Sequence, residues 1–497
     1  MYAPLLLHDS ASARMLDAQA TQWLGGDPYV LMQRAGLAAW ELLQQRWPAA
    51  RRIVVACGTG NNGGDGYVLA RLAQLAGRQV RVVHADGRGP GSDLAQRACT
   101  DYLARGGRVA LFPCELADAD VIVDSLFGIG LNRPPEAADA ALIEAINRSG
   151  VPVLALDVPS GVDAEHGTRP GVAVCASVTL QFIVAHLGLH TGDALEHVGE
   201  RVLANLEVPE SAIQAMPPRA ESWSVEALAA TLRPRRRNSH KGESGRVLCI
   251  GGNEGSGGAI MLAAEAALRS GAGLLAVATR ARHVGPLLAR CPEVMARAVE
   301  DGEVLPPLLR QADVVAIGPG LGQDEWARAL WQMTLDHAGA KVIDADGLNL
   351  LAGAPRRFDG DSGTDTVLTP HPGEAARLLG LSTVQVQRDR LAAAQLLVAR
   401  FGAVVVLKGA GTIVSAPGRI PRLIDAGNPG MAVGGMGDLL TGVIASLRAQ
   451  GHNAFDAATL GALLHAVAGD RAAREGERGL LPTDLLPWLR VLSNTHR

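Results

Sequence analysis

Short, uninterrupted apolar runs recur along the chain, most of them closed by glycine or an acidic residue, and they alternate with longer stretches of mixed or amphipathic character. The run RIVVAC at 52–57 ends at Gly58; similar runs lie at 80–84, 121–124 and 153–157, the last two closing on Asp124 and Asp157. Runs of this length, apolar on both alternating sides, suit a parallel strand covered on both faces. Helical stretches are predicted between them, at 67–76 and 137–147. Strand–helix alternation implies an α/β fold with a parallel sheet and helices on both faces. Ligands of such sheets bind beyond the carboxyl ends of the strands.

The pattern breaks at 212–224 (AIQAMPPRAESWS), where two prolines adjoin and no apolar period survives. It then restarts. Strands are predicted at 247–250, 314–317, 341–344 and 404–407, a helix at 261–270, and a long helix starting near Asp438. Two α/β domains follow, 1–215 and 216–497, with no repeat that would make them copies of one another.

Composition narrows the setting. Of 497 residues, 48% are hydrophobic and 19% charged, a globular balance, and the aromatic share of 3% leaves the cores to Ala, Val, Leu and Ile. A net charge of −4 argues against a nucleic-acid surface. The one dense basic stretch, Arg233-Pro-Arg-Arg-Arg237, reads as a solvated connector. Six scattered cysteines form no CxxC pair, which fits free thiols in a reducing cytoplasm. No apolar run reaches the ~18–20 residues of a membrane span, so no membrane partner is expected. Helix-rich surfaces and apolar strand edges make a homo-oligomer the expected assembly.

The glycines and acids at the strand ends carry the candidate chemistry. Gly58-Thr-Gly-Asn61-Asn62-Gly63-Gly64-Asp65-Gly66 lies between a strand and a helix, where N–H groups can face an anion. It is neither a GxGxxG fingerprint nor a Walker A loop; the plainer reading is a turn with Asp65 capping the helix. Asp124-Ser-Leu-Phe-Gly-Ile-Gly-Leu131 and Asp157-Val-Pro-Ser160-Gly place two further acids at the same sheet edge. In this order the segments resemble the loops of the NAD(P)H-hydrate epimerase family over most of 10–215. The resemblance implies a Rossmann-like domain that interconverts the R and S hydrates of damaged NADH or NADPH. It implies that Asn61, Asn62, Gly63, Gly64, Asp65, Gly128, Ile129, Gly130, Leu131, Asn132, Arg133, Pro134 and Asp157 hold the hydrate. It also implies that Asn62, Asp124 and Ser160 bind a potassium ion. Asp157 is the candidate for moving the proton.

In the second half, GNPGMAVGGMGD at 427–438 precedes an amphipathic helical run. Glycines packed before a helix leave N–H groups for a phosphate, and Asp438 is either the helix cap or a general base toward a substrate hydroxyl. As a base beside a helix N-terminus it is expected to keep its charge readily. Lys408-Gly409-Ala410-Gly411-Thr412 offers a lysine and mobile backbone, and His371 is stiffened between two prolines. Asp344 and Asp346 could orient a magnesium–nucleotide complex through water, while His465 on an apolar helix reads as structural. These motifs, with Gly318-Pro-Gly-Leu-Gly322, look like a ribokinase-like fold and resemble the ADP-dependent NAD(P)H-hydrate dehydratase family over nearly all of 224–490. The resemblance implies that Ala259, Gly322, His371 and Asp438 contact the hydrate. It implies that Lys408, Gly409, Ala410, Gly411, Thr412 and Gly437 contact ADP (or ATP), which comes with Mg2+. One departure is that the segment before Ala259, Asn253-Glu-Gly-Ser-Gly-Gly, lacks the aromatic residue the family often carries. Two competing readings are a small-molecule kinase releasing a stable phosphorylated product and a dinucleotide sensor without turnover.

Overall fold

In the computed structural model residues 2–85, 87–358 and 365–494 are described. The chain forms two compact units, one from Leu5 to Ala220 and one from Glu221 onward that includes the residues before Leu5.

The first unit runs β1 (Leu5–His8), α1 (Ser10–Trp23), α2 (Pro28–Arg46), β2 (Arg52–Cys57), α3 (Asn61–Leu75), β3 (Gln79–His84), α4 (Asp93–Leu103), β4 (Val109–Leu111) and β5 (Val121–Ser125). It continues with α5 (Ala137–Arg148), β6 (Val153–Leu156), β7 (Val178–Phe182), β8 (Ala185–His186), β9 (Glu200–Ala204) and α6 (Glu210–Ala215). Seven strands form a sheet in the order β4-β3-β2-β5-β6-β7-β9, each neighbouring pair parallel. The two-residue period of a strand explains why helices cover both faces. Ile53, Val55 and Cys57 of β2 join Trp40, Tyr67 and Leu69 from α2 and α3 in one apolar cluster. Val54 and Ala56 join Leu142, Ile143 and Ile146 of α5 in another. Each large aliphatic side chain so buried contributes roughly 1.5–3 kcal/mol.

One predicted boundary moves with consequences for the site. The helix expected to begin at Tyr67 begins at Asn61, so the asparagine–glycine run is its first turns rather than a loop, and Asp65 lies inside it rather than capping it. Asn and Gly are poor helix formers, but tertiary packing outweighs that preference here. A Cβ at Gly66 would sit 2.1 Å from Ser125 Oγ, so only glycine lets α3 lie this close to β5.

The second unit runs β10 (Ala220–Ser222), α7 (Glu226–Thr231), β11 (Arg246–Ile250), α8 (Gly257–Arg269), β12 (Leu274–Thr279), α9 (Ala281–Arg290), β13 (Met295–Ala298), α10 (Leu305–Gln311), β14 (Val314–Ile317) and α11 (Glu325–Asp336). Next come β15 (Ala340–Ile343), α12 (Ala345–Gly353), β16 (Thr366–Leu368), α13 (Pro372–Leu379), α14 (Thr383–Arg388), α15 (Arg390–Phe401) and β17 (Val404–Leu407). The unit closes with β18 (Thr412–Ser415), β19 (Arg422–Ile424), α16 (Met436–Ala449), α17 (Ala454–Ala472) and α18 (Pro482–Leu492). Its strands lie in the order β13-β12-β11-β14-β15-β16-β17-β18-β19-β10. The expected parallel arrangement holds from β13 to β17. It fails where β18 pairs antiparallel with both β17 and β19. The connections there are too short for the crossover that parallel neighbours need. The predicted connector at 212–224 is partly ordered, since it takes in the end of α6 and all of β10, which pairs with β19. The basic stretch after α7 is an exposed loop, as expected.

Candidate active sites

At the carboxyl end of the first sheet lies a cavity of about 700 Å³, lined by Asn61, Asn62, Asp65, the 128–134 loop and Asp157. Gly63 and Gly64 are buried in the packing of α3 and do not line it. Asp157 follows β6 with φ +65°, in the left-handed region that few non-glycine residues occupy. Held there, its Oδ1 meets His186 Nε2 at 2.7 Å, and both side chains are largely buried. Its Oδ2 is directed at the loop: a Cβ on Gly128 would lie 3.0 Å from it. The other ring nitrogen of His186, Nδ1, is buried with no hydrogen-bond partner among the described residues.

Asp17, Arg14 and Thr21 of α1 line the same cavity. Loss of surrounding water and the charge of Asp157 push the Asp17 carboxyl upward, with His186 and Arg14 opposing. Asp65 is pushed well above the ordinary carboxylate range by burial and by Asp157 and Asp17. His8, beside His186 in the β1–β8 pairing, is buried, and burial lowers its pKa.

Behind the cavity, Asp124 is fully buried at the end of β5. Ser160 donates to it from both N (2.8 Å) and Oγ (2.6 Å). Asn62 donates from Nδ2 to the carbonyl oxygens of Phe127 (3.0 Å) and Leu156 (3.2 Å). Its Oδ1 is buried and unpartnered among the described residues. Burial is the main cause that raises the Asp124 carboxyl to about 6, against the Ser160 hydrogen bonds.

In the second unit the site forms where α16 meets the ends of β15 and β17. Gly435, with φ +98°, is the N-cap of α16, a conformation that favours glycine. Gly437 and Asp438 lie in the first turn, so Asp438 is not the cap. Lys408 extends under this turn; a Cβ on Gly437 would lie 3.2 Å from its Nζ. The ammonium is not a surface group but is 2.7 Å from Asp344 Oδ1 and 3.7 Å from Glu374 Oε2. Burial works against its charge, and the two carboxylates outweigh burial and hold its pKa above the ordinary value. Thr441 donates to the other oxygen of Asp344 at 2.8 Å. Both oxygens of Asp344 thus accept hydrogen bonds within the protein.

Asp438 departs from expectation. Its carboxyl is pushed up to about 7 by burial and then by Asp344, with Lys408 opposing and Asp346 and Glu374 adding to the rise. Burial and three like charges outweigh the helix dipole, which acts only over the first turn.

His371 is the N-cap of α13 in a capping box with Glu374. Its Nδ1 accepts from Gly373 N at 3.0 Å, which leaves the proton of the neutral ring on Nε2. The side chain is 55% exposed, so it is a positioned surface group and not a core histidine. Gly322 N donates to Asp346 Oδ2 at 2.8 Å, and Ala259 stands beside the same turn, 3.2 Å from where a Cβ on Gly320 would lie. Gly322 is thus tied to Asp346, and His371 through Glu374 to Lys408, with Asp346, Lys408 and Glu374 all acting on Asp438. In the segment without an aromatic residue, the His283 ring packs against Gly257.

Four residues of the first site are not among the sequence candidates. Arg14, Asp17 and Thr21 share one helix face through their three- and four-residue spacing, a legible signal. His186 closes the run FIVAH and carries only the weak signal of a polar residue ending an apolar stretch.

Residues 247–490 match the family described as NAD(P)H-hydrate dehydratase, and residues 28–188 match the family described as YjeF-related protein N-terminus. The chain is 45% identical over 491 residues to the bifunctional NAD(P)H-hydrate repair enzyme Nnr of Coxiella burnetii, covering 98% of this chain and 99% of that one. It belongs to the bifunctional NAD(P)H-hydrate repair enzymes. The Escherichia coli enzyme of the same name is 43% identical over 96% of this chain and 92% of its own length. A solved ribokinase-like superfamily protein from Enterococcus faecalis is 35% identical to the second unit's region, with TM-score 0.52, covering 55% of this chain and 95% of that one. The first unit is accordingly the epimerase of a repair enzyme and the second its ribokinase-like dehydratase. The kinase-only and sensor readings fall. Among the described residues no helix is long and apolar enough to cross a membrane.

Proposed function

We propose that Asp438 is the general base of dehydration, acting on the hydroxyl of the S hydrate while ADP (or ATP) supplies the phosphoryl group. The observation that carries this reading is a carboxyl with pKa raised to about 7 in the first turn of α16, above the Lys408 ammonium. A base poised near the working pH combines a useful deprotonated fraction with real proton affinity. Asp438 takes the hydroxyl proton as that oxygen attacks the terminal phosphorus and the nucleotide's bridging P–O bond breaks. Phosphate then leaves with the C–O electron pair while the adjacent ring carbon gives up a proton, restoring the ring double bond. Ala259, Gly322 and His371 hold the hydrate; the 408–412 segment and Gly437 hold the nucleotide. Magnesium would accompany the nucleotide and neutralise phosphate charge, with Asp344 and Asp346 as the carboxylates that would orient it through water.

In the first unit Asp157 moves the proton. Protonating the hydrate's hydroxyl lets the C–O bond break with the ring nitrogen sharing the positive charge. Water returning to either face then gives back the proton and yields either epimer. Asn61, Asn62, Asp65 and the 128–134 loop hold the hydrate above Asp157. The oxygens of Asn62, Asp124 and Ser160 suit a potassium ion: all are hard donors, one is an orphaned buried oxygen, and the buried carboxylate gains a counter-charge. Potassium would neutralise Asp124 and steady the loop that follows it. Six free thiols suit a reducing, cytoplasmic setting.

The test is an assay of the full chain on separated R and S hydrates, with and without ADP and with potassium or lithium as the only alkali cation. Recovery of reduced-nicotinamide absorbance from the S form should require nucleotide, and consumption of the R form should slow in lithium alone. If the R form disappears no faster than it epimerises spontaneously, Asp157 has no such role.

A further inference from the structure

Arg390, the first residue of α15, is 1% exposed and the largest fully buried side chain among the described residues. A guanidinium taken out of water needs acceptors in its own plane. Arg390 finds several of them in the backbone that leaves β17. Its Nη2 donates to the carbonyl oxygens of Lys408 at 3.2 Å and Gly411 at 3.3 Å, with Leu407 at 3.5 Å, and its Nη1 donates to Gln387 Oε1 at 2.6 Å. Gly409, with φ +128°, passes so close that a Cβ there would lie 3.0 Å from Nη1.

Peptide geometry converts these contacts into a statement about the loop's outer side. In a planar trans peptide the carbonyl oxygen and the following N–H point in opposite directions. With the Lys408 and Gly411 oxygens drawn in toward the guanidinium, the N–H of Gly409 is turned away from it, while Thr412 is already paired with Ile424 of β19. We propose that Arg390 is the positioning residue of the dehydratase nucleotide site, holding the 408–412 segment so that the Gly409 N–H stands as a fixed donor for nucleotide phosphate. This rests on the reading of that segment as the nucleotide loop. The arrangement removes the ordering cost that a glycine-rich loop would otherwise meet on binding, and it sets a positive charge behind the anion's seat. Lysine could hold only part of it, because a single ammonium lacks the planar fork.

The experiment compares Arg390→Lys, Arg390→Met, Gln387→Leu and Gly409→Val in the full chain, with the melting transition of the second unit as the folding control. In Arg390→Lys the KM for ADP should rise about tenfold, equivalent to ~1.4 kcal/mol of binding. It should rise further in Arg390→Met and severalfold in Gln387→Leu, while kcat and the KM for the S hydrate stay within about twofold. Should Arg390→Met fail to fold, the lysine and Gln387 variants decide. An unchanged KM for ADP in both, or a loss confined to kcat, overturns the proposal. Gly409→Val separates the two readings: if it also leaves the KM for ADP unchanged, the loop is not the nucleotide site. If it raises that KM and the Arg390 and Gln387 variants do not, only the role of Arg390 is lost.

Discussion

The two units each place a carboxylate at the ligand-binding end of a sheet, and they prepare it in opposite ways. Asp157 is aimed by backbone: a left-handed φ and one imidazole contact direct one oxygen inward and the other at the loop carrying Gly128. Asp438 sits in ordinary helical backbone and is prepared by its electrical surroundings, with three carboxylates and one ammonium acting on it. With the proposed roles, the first design would fix where a proton goes and the second how tightly it is held. Exchanging the charge while keeping the shape should break each independently. Asp438→Asn should lower dehydration of the S hydrate by roughly 10²–10⁴-fold, the usual contribution of a general base, and leave epimerisation intact. Asp157→Asn should show the reverse pattern, read as conversion of the R form at constant dehydratase concentration. A dehydration rate within tenfold of wild type in Asp438→Asn would move the base elsewhere.

A smaller effect tests whether aiming is what His186 does. A hydrogen bond to a charged group is worth about 1.5–3 kcal/mol, so His186→Phe should slow epimerisation by roughly ten- to a hundredfold. His186→Gln can place an amide N–H near the vacated Nε2 and should recover most of that loss, chiefly in kcat. Equal losses in the glutamine and phenylalanine variants would show that the imidazole merely fills space.

The same contrast explains what could be read from sequence. Strand ends are local: an apolar run with glycine or aspartate after it located Asp124, Asp157 and Lys408 without knowledge of the fold. Glycine spacing likewise marked the start of α16. What the chain hides is set by neighbours far apart in it. The helix at Asn61 forms because Gly66 can approach Ser125, a packing event that propensity does not report. His186 reaches Asp157 across 29 positions. Lys408 looked like a free phosphate ligand, and only the fold brings Asp344 and Glu374 against it. Arg390 precedes its loop by some twenty residues and carries no motif.

The charges around Asp438 also tie activity and stability to pH, by a small amount. Dehydration should rise with pH and level off above a midpoint near 7, because the base must lose its proton. Asp344→Asn should move that midpoint down, since it removes the strongest like charge on Asp438 and leaves Lys408 less occupied. Folding has the opposite sign. The folded pKa is raised above the value near 4 of an unfolded aspartate. Stability is therefore fully present below about pH 4 and is lost as pH rises toward 7, where the folded unit must hold a charge that it disfavours. Asp438→Asn removes that loss. Near pH 8 the variant should be the more stable by about 1 kcal/mol, after discounting for solvent screening at a partly exposed group, or roughly 2 °C in melting temperature. The advantage should vanish as pH falls toward 4. A variant that melts below wild type across this whole range would mean that Asp438 stabilises the fold, and its raised pKa would then need another cause.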